Sequence, residues 1–131
     1  MIQIPDLSMK RAKLQDMTVN QLVGRFTAIT LEQDKALLRN EYAKFNRLFE
    51  QMEDVKRELK ARDGDQRRAL LPLYDHPNVQ VRLKAVKATL AVPPERARRM
   101  LEIIADSREY PQAGDAGMTI DALDQGIFKP T

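Results

Sequence analysis

Residues 79–92 carry apolar side chains on two separate sides of a helix, and this sets the strongest limit on how the chain can fold. Projected at about 100° per residue, Val79, Leu83, Val86 and Leu90 share one side, and Val81, Ala85, Ala88 and Val92 share another. A polar stripe of Gln80, Lys84 and Lys87 and a narrower one of Arg82 and Thr89 separate them. A helix at the edge of a simple bundle needs one apolar face. A helix packed within its own hairpin and also against neighbouring hairpins needs two, which is the demand of stacked helical repeats.

The flanking sequence supplies the other helices. Thr18 stands three residues before Gln21 in the capping-box arrangement, and Val19, Leu22, Val23, Phe26, Ile29, Leu37 and Leu38 follow at helical spacing until the phase is lost near Asn40. A second stripe of Tyr42, Phe45, Phe49, Met52, Val55 and Leu59 runs to the Asp63-Gly64-Asp65 punctuation. Its outer face offers Glu53 to Arg57 and Glu58 to Arg62 at four-residue spacing. Ala69 to Tyr74 is a short apolar element that Pro72 kinks or shortens. Asn78 is placed to cap the helix over 79–92, which Pro93-Pro94 ends.

Pro94 then opens a helix with Ala97, Met100, Leu101 and Ile104 on one arc, and with Glu95/Arg99 and Arg98/Glu102 as i,i+4 pairs. A last helix over about 112–125 has an inner arc of Ala113, Ala116, Gly117, Ile120 and Leu123, small enough at its start to predict close helix approach. Gly126 is expected just past its end, with Ile127 and Phe128 folding back. No run of β-branched or aromatic residues alternates as a strand would. The predicted fold is therefore all-α: a short α-α superhelix of about six helices in three antiparallel hairpins, residues 18–62, 64–92 and 93–126.

The stretch Leu70-Leu71-Pro72-Leu73-Tyr74-Asp75-His76-Pro77-Asn78-Val79-Gln80-Val81-Arg82-Leu83-Lys84-Ala85-Val86-Lys87-Ala88 resembles a HEAT repeat. That resemblance implies structural roles for Asp75 and Arg82, linking a turn to nearby carbonyls or to each other, and close packing at Ala85 and Ala88. Thr89 departs from the leucine usual there. More narrowly, residues 18–131 resemble a small bacterial domain family of unknown function through Gly64-Asp65-Gln66-Arg67, residues 70–87 and Ala113 to Gly117. Neither resemblance implies an activity. Residues 1–17 read as a flexible leader and 18–131 as a single HEAT-like domain.

Composition narrows function mainly by exclusion. With no cysteine there is no disulfide framework or thiolate metal site, and His76 alone makes neither a His pair nor a triad with a second base. A turn histidine before Pro77 reads as a surface or capping group. Carboxylate pairs at Glu50/Asp54, Asp63/Asp65 and Asp121/Asp124 carry no burial signal that would split them into acid and base, and Ala113-Gly114-Asp115-Ala116-Gly117 lacks the strand and lysine of a phosphate loop. No cofactor, metal site or catalytic set is expected. The chain has no apolar run of membrane-spanning or signal-peptide type, so a cytoplasmic location is expected.

Charge is unevenly placed. Residues 56–99 hold twelve basic and five acidic side chains, while residues 100–131 hold two basic and six acidic. Without local i,i+4 partners, Lys56, Lys60, Arg67, Arg68, Lys84 and Lys87 are open to phosphates. Against a single-strand platform, the chain has no tryptophan and its tyrosines fall at apolar helix positions. The expected function is a non-enzymatic protein-interaction module, an adaptor, complex subunit or immunity-type inhibitor. Its partner surface is expected at Gln80, Lys84, Lys87, Arg67, Arg68 and Asp121. Duplex nucleic-acid binding through the basic middle is the alternative, and a small enzyme is third. Oligomeric state is not fixed by the sequence.

Overall fold

A computed structural model describes residues 14–131. The expected leader falls outside the described residues as far as residue 13. Among the described residues there are five α-helices and one 3-10 helix and no strand: α1 (Val19–Leu38), α2 (Tyr42–Ala61), a 3-10 helix (Gln66–Asp75), α3 (Val79–Ala88), α4 (Pro94–Asp106) and α5 (Gln112–Asp124). The fold is all-α. The chain divides into two compact units, one ending at Gln66 and one running from Arg67 to Thr131.

In the first unit, α1 and α2 form a hairpin. The expected capping box is formed: Thr18 Oγ1 accepts from Gln21 N at 3.1 Å, and Gln21 Oε1 accepts from Thr18 N at 2.8 Å. Inward positions on α1 are Leu22, Phe26, Ile29, Gln33 and Ala36, alternately three and four residues apart. That phase turns Leu38 outward, about 200° from Ala36, and Leu38 is exposed against expectation. Tyr42, at the other end of the turn, is exposed as well. Asn40 turns the chain at φ 56. On α2 the buried side chains are Met52, Val55 and Leu59. Residues 14–17 are tied to the end of α2: Leu14 is buried, and Arg62 donates to the carbonyls of Leu14, Gln15 and Met17 at 3.2, 3.4 and 2.8 Å.

The second unit begins with the 3-10 helix. Three residues per turn line up Arg67, Leu70 and Leu73, all buried, and Pro72 stands in it without an amide donor. Asn78 caps α3 as expected, with its side-chain oxygen accepting from Gln80 N at 2.8 Å and Val81 N at 3.2 Å. Helix α3 then stops at Ala88, short of residue 92. It ends at Thr89, whose backbone leaves the helical region at φ −112 and ψ 14, four residues before Pro93, which disfavours helix at Val92. The buried Thr89 hydroxyl donates back to the Ala85 carbonyl at 2.8 Å and lies 3.2 Å from that of Val86.

Helices α4 and α5 pack as a hairpin, and both also contact α3. Ala97, Leu101 and Ile104 face inward from α4, and Ala113 and Ala116 from α5. A side chain at Gly117 would meet nothing within 4 Å, so this glycine does not mark a close approach. Gly126 ends α5 at φ 70, with Gly126 N bonded to Leu123 O at 3.2 Å and Ile127 N to Ala122 O at 3.0 Å. This is the Schellman pattern of a helix end. Ile127 does not fold back and stays exposed.

Candidate interaction surface

The polar stripe on α3 is a seam rather than an open face. Gln80 is buried, and its Oε1 accepts from Gln112 Nε2 at 2.9 Å, joining α3 to the start of α5. At the other end of the stripe, Lys87 Nζ pairs with Asp115 Oδ1 at 2.9 Å, again on α5. Lys84 lies between them and is buried. The expectation that Gln80, Lys84 and Lys87 present a concave polar face to a partner is corrected accordingly. The helical projection places these residues together, but α5 packs on the angle they occupy.

Of the remaining expected partner residues, Arg67 is buried, with one guanidinium nitrogen 3.4 Å from the Thr131 carbonyl oxygen, while Arg68 and Asp121 are exposed. Lys56 pairs with Glu53 at 2.9 Å. Among the six cations read as locally unpaired, only Lys60 and Arg68 stand exposed. Burial and pairing therefore absorb most of the basic middle.

The turn before α3 is held by Arg82. Its guanidinium donates to the carbonyls of His76 and Pro77 at 2.9 and 3.2 Å and pairs with Glu109 at 2.8 Å. His76 Nδ1 accepts from Asn78 N at 3.0 Å, so its ring braces the turn and the proton of the neutral imidazole lies on Nε2. Asp75 is exposed. Beneath this turn, the buried Tyr74 hydroxyl meets Thr89 Oγ1 at 2.5 Å, and burial raises the Tyr74 pKa above its ordinary value, opposed by the Thr89 hydrogen bond and by Arg96 over the ring.

One member of each of two expected carboxylate pairs, Asp54 and Asp124, serves an ion pair instead. Arg98 meets Asp124 at 2.6 Å, and this hydrogen bond holds the Asp124 carboxyl below its usual range. Asp54 meets Arg57 at 2.6 Å, in place of the expected Glu53 partner, and Arg62 meets Glu58 at 2.7 Å as expected. Among the described residues, no group of three His, Cys, Asp or Glu side chains is placed to hold a metal ion.

What the sequence reading missed is apolar. In the second unit, Ile103 on α4, Met118 on α5 and Ile127 beyond it are 63, 71 and 75% exposed. Met118 shares the outward strip of α5 with Gly114 and Asp121, at i, i+4 and i+7. The signal was present: Met118 lies two residues past Ala116, on the side opposite the small inner arc. Each unit also has an open groove. One of about 380 Å³ is walled by Leu14, Gln15, Asp54, Arg57, Glu58 and Ala61. The other, about 350 Å³ and more apolar, is walled by Leu90, Ala91, Pro94, Arg98, Leu123 and Pro130.

Residues 20–124 match the family model described as Domain of unknown function (DUF2019). The solved structure of the protein RPA1889 from Rhodopseudomonas palustris CGA009 is similar at 58% identity with a TM-score of 0.88, over 90% of this chain and 98% of that one. No curated protein matches. No helix among the described residues is long and apolar enough to cross a membrane.

Proposed function

The chain belongs to the DUF2019 family, and from that premise we propose that it is a non-enzymatic protein-interaction module of the bacterial cytoplasm, an adaptor, complex subunit or immunity-type inhibitor. The observation that carries this reading is the outward exposure of Ile103, Met118 and Ile127 in a unit where Arg82, Lys87 and Arg98 are taken up by ion pairs with Glu109, Asp115 and Asp124. Large apolar side chains left in water are available to bury against a protein partner, and a methionine adapts to varied partner shapes. A HEAT-like repeat scaffold is part of the proposal. It is supported by Arg82 bridging the turn carbonyls and by the burial of Ala85 and Ala88.

The test compares the chain with Ile103→Asp and Met118→Asp. Both sites are exposed, so circular dichroism melts should move by no more than about 0.5 kcal/mol equivalent. Affinity capture from the native bacterium should recover a partner with the parent chain and lose it with both variants. A partner retained by both variants would overturn the part given to these two side chains. A gel-shift series at several ionic strengths addresses duplex binding, whose support shrinks to Lys60 and Arg68. Sub-micromolar binding at physiological salt, abolished by reversing those two charges, would replace the protein reading.

A further inference from the structure

The turn that starts α3 depends on an imidazole that accepts a hydrogen bond. Pro77 has a fixed φ and no amide to give, so the first backbone donor after His76 is Asn78 N, and it meets His76 Nδ1 at 3.0 Å. The same Asn78 caps α3 through its side-chain oxygen, 2.8 Å from Gln80 N and 3.2 Å from Val81 N. Arg82, one turn into the helix, holds the carbonyls of His76 and Pro77 and reaches Glu109 in the α4–α5 loop, where Glu109 N in turn donates to Ser107 Oγ at 3.2 Å. His76 is only half-buried, so protons from solvent reach its ring.

We propose that the His76-Pro77-Asn78 turn is a proton-sensitive latch on the start of α3, closed while the imidazole is neutral and opened when it takes up a proton. Imidazolium carries N–H at both ring nitrogens, so Nδ1 then turns a donor toward the Asn78 donor and the bond is lost. With it goes the hold on the backbone of the cap residue, and the added charge stands in the turn whose carbonyls Arg82 already grips. The charged groups around the turn do not set the direction. Asp75 beside His76 and Glu109 from the α4–α5 loop favour the cation, while Arg82 from α3 and Arg96 from α4, 5.7 Å over the Tyr74 ring, oppose it. With two against two, the hydrogen bond decides. The unfolded chain has no such bond to lose and binds the proton more readily, so this contribution is full above the imidazole range and falls as the pH drops through it. Composition isolates the effect: His76 is the one histidine and there is no cysteine, so no other side chain ordinarily titrates between about pH 5.5 and 7.0. This inference is independent of the interaction-module reading.

The test follows urea denaturation of the intact chain by circular dichroism at about pH 7.0 and about pH 5.5, on either side of the imidazole range, beside His76→Asn and His76→Leu. On acidification the folding equilibrium constant of the parent should fall about fivefold, the worth of one ordinary hydrogen bond. His76→Asn keeps an acceptor, because an asparagine side chain bonds the backbone N–H two residues on, but it cannot titrate. It should match the parent at the higher pH and lose the acid dependence. His76→Leu has no acceptor and should sit near the acid value of the parent at both pH values. A parent that is unchanged or gains stability in acid, an equal acid loss in His76→Asn, or a His76→Leu as stable as the parent at the higher pH would each overturn the proposal. A second measurement needs no variant. By NMR hydrogen exchange, the protection factor of the Asn78 amide in the parent should fall about fivefold as the ring-proton shifts report protonation of the imidazole. Protection that stays constant through that titration would overturn the latch whatever the denaturation curves show.

Discussion

Replacing Thr89 should cost more than replacing Tyr74, although the two hydroxyls share one hydrogen bond. The Thr89 hydroxyl has a single proton, which goes to the Ala85 carbonyl at 2.8 Å. Tyr74 must therefore be the donor across the 2.5 Å contact, and Thr89 Oγ1 the acceptor. In Tyr74→Phe the donor disappears and Thr89 keeps its carbonyl, so the loss is one ordinary hydrogen bond, about 0.5–1.5 kcal/mol. In Thr89→Val the Tyr74 hydroxyl is left buried without its acceptor, which costs about 1–3 kcal/mol. Adding Tyr74→Phe to Thr89→Val removes the stranded donor and should recover about 1 kcal/mol. Urea denaturation followed by circular dichroism on the four proteins measures the cycle. The pH dependence gives an independent reading. Burial raises the folded-state pKa of Tyr74 above its ordinary 10.0, so this contribution is fully present below pH 10.0 and is lost as pH rises through the folded value. Tyr74→Phe should lack that alkaline loss. If Thr89→Val is the milder single change, or if the second substitution deepens the loss, the donor assignment is wrong.

Other outcomes follow from burial and space. Lys84→Asp and Ala85→Asp should both destabilise by several kcal/mol, because both positions are buried, whereas Arg68→Asp should stay within about 0.5 kcal/mol; thermal melts that reverse this ranking would refute the phase of α3. Gly114→Ala and Gly117→Ala in α5 should each stabilise by about 0.5–1 kcal/mol, since the added methyl meets nothing within 4 Å, and a lower melting temperature would contradict that open space. The Asp124 carboxyl should titrate below its ordinary 3.8 by NMR and return toward it in Arg98→Ala, so that its small contribution to stability is present above pH 3.8 and lost as pH falls through the lowered value. An unchanged titration in that variant would remove Arg98 as the cause.

The helix starts were legible because caps are local chemistry. Thr18 with Gln21, and Asn78 alone, state their role within three residues of chain. The ends of the third and fourth elements were less legible for opposite reasons. Arg67, Leu70 and Leu73 recur every third residue, the period of a 3-10 helix, but reading Arg67 as inward requires setting aside its charge. Helix α3 looked longer than it is because Val92 continues its apolar phase, while the backbone already leaves the helix at Thr89, a change of dihedrals that no hydrophobic pattern records. The exposed Leu38 and Tyr42 show the same limit: a stripe gives the angle of a side chain, and packing decides whether anything lies at that angle.

The candidate surface was misread at the same step, and the charge distribution shows how. A basic middle beside an acidic last third suggests two surfaces of opposite sign, one of them suited to phosphate. The three-dimensional pairing runs otherwise: Arg82 meets Glu109, Lys87 meets Asp115 and Arg98 meets Asp124, each joining the basic segment to the acidic one. All six residues belong to the second unit, so part of the asymmetry along the chain is cancelled within it. Half-exposed pairs of this kind add little stability, and their larger effect is on register, since each fixes which turn of one helix faces which turn of another. The complement was written in the sequence as Gln80 with Gln112 and Lys87 with Asp115. The two contacts advance in the same direction along both helices but by unequal steps, seven residues on α3 and three on α5, about 10.5 and 4.5 Å of helix. Once that seam is closed, Lys84 and Lys87 are taken up by the fold, and Lys60 and Arg68 stay exposed among the six cations that suggested nucleic acid. The large apolar side chains at Ile103, Met118 and Ile127, standing in water, join those two in the count of what a partner could meet.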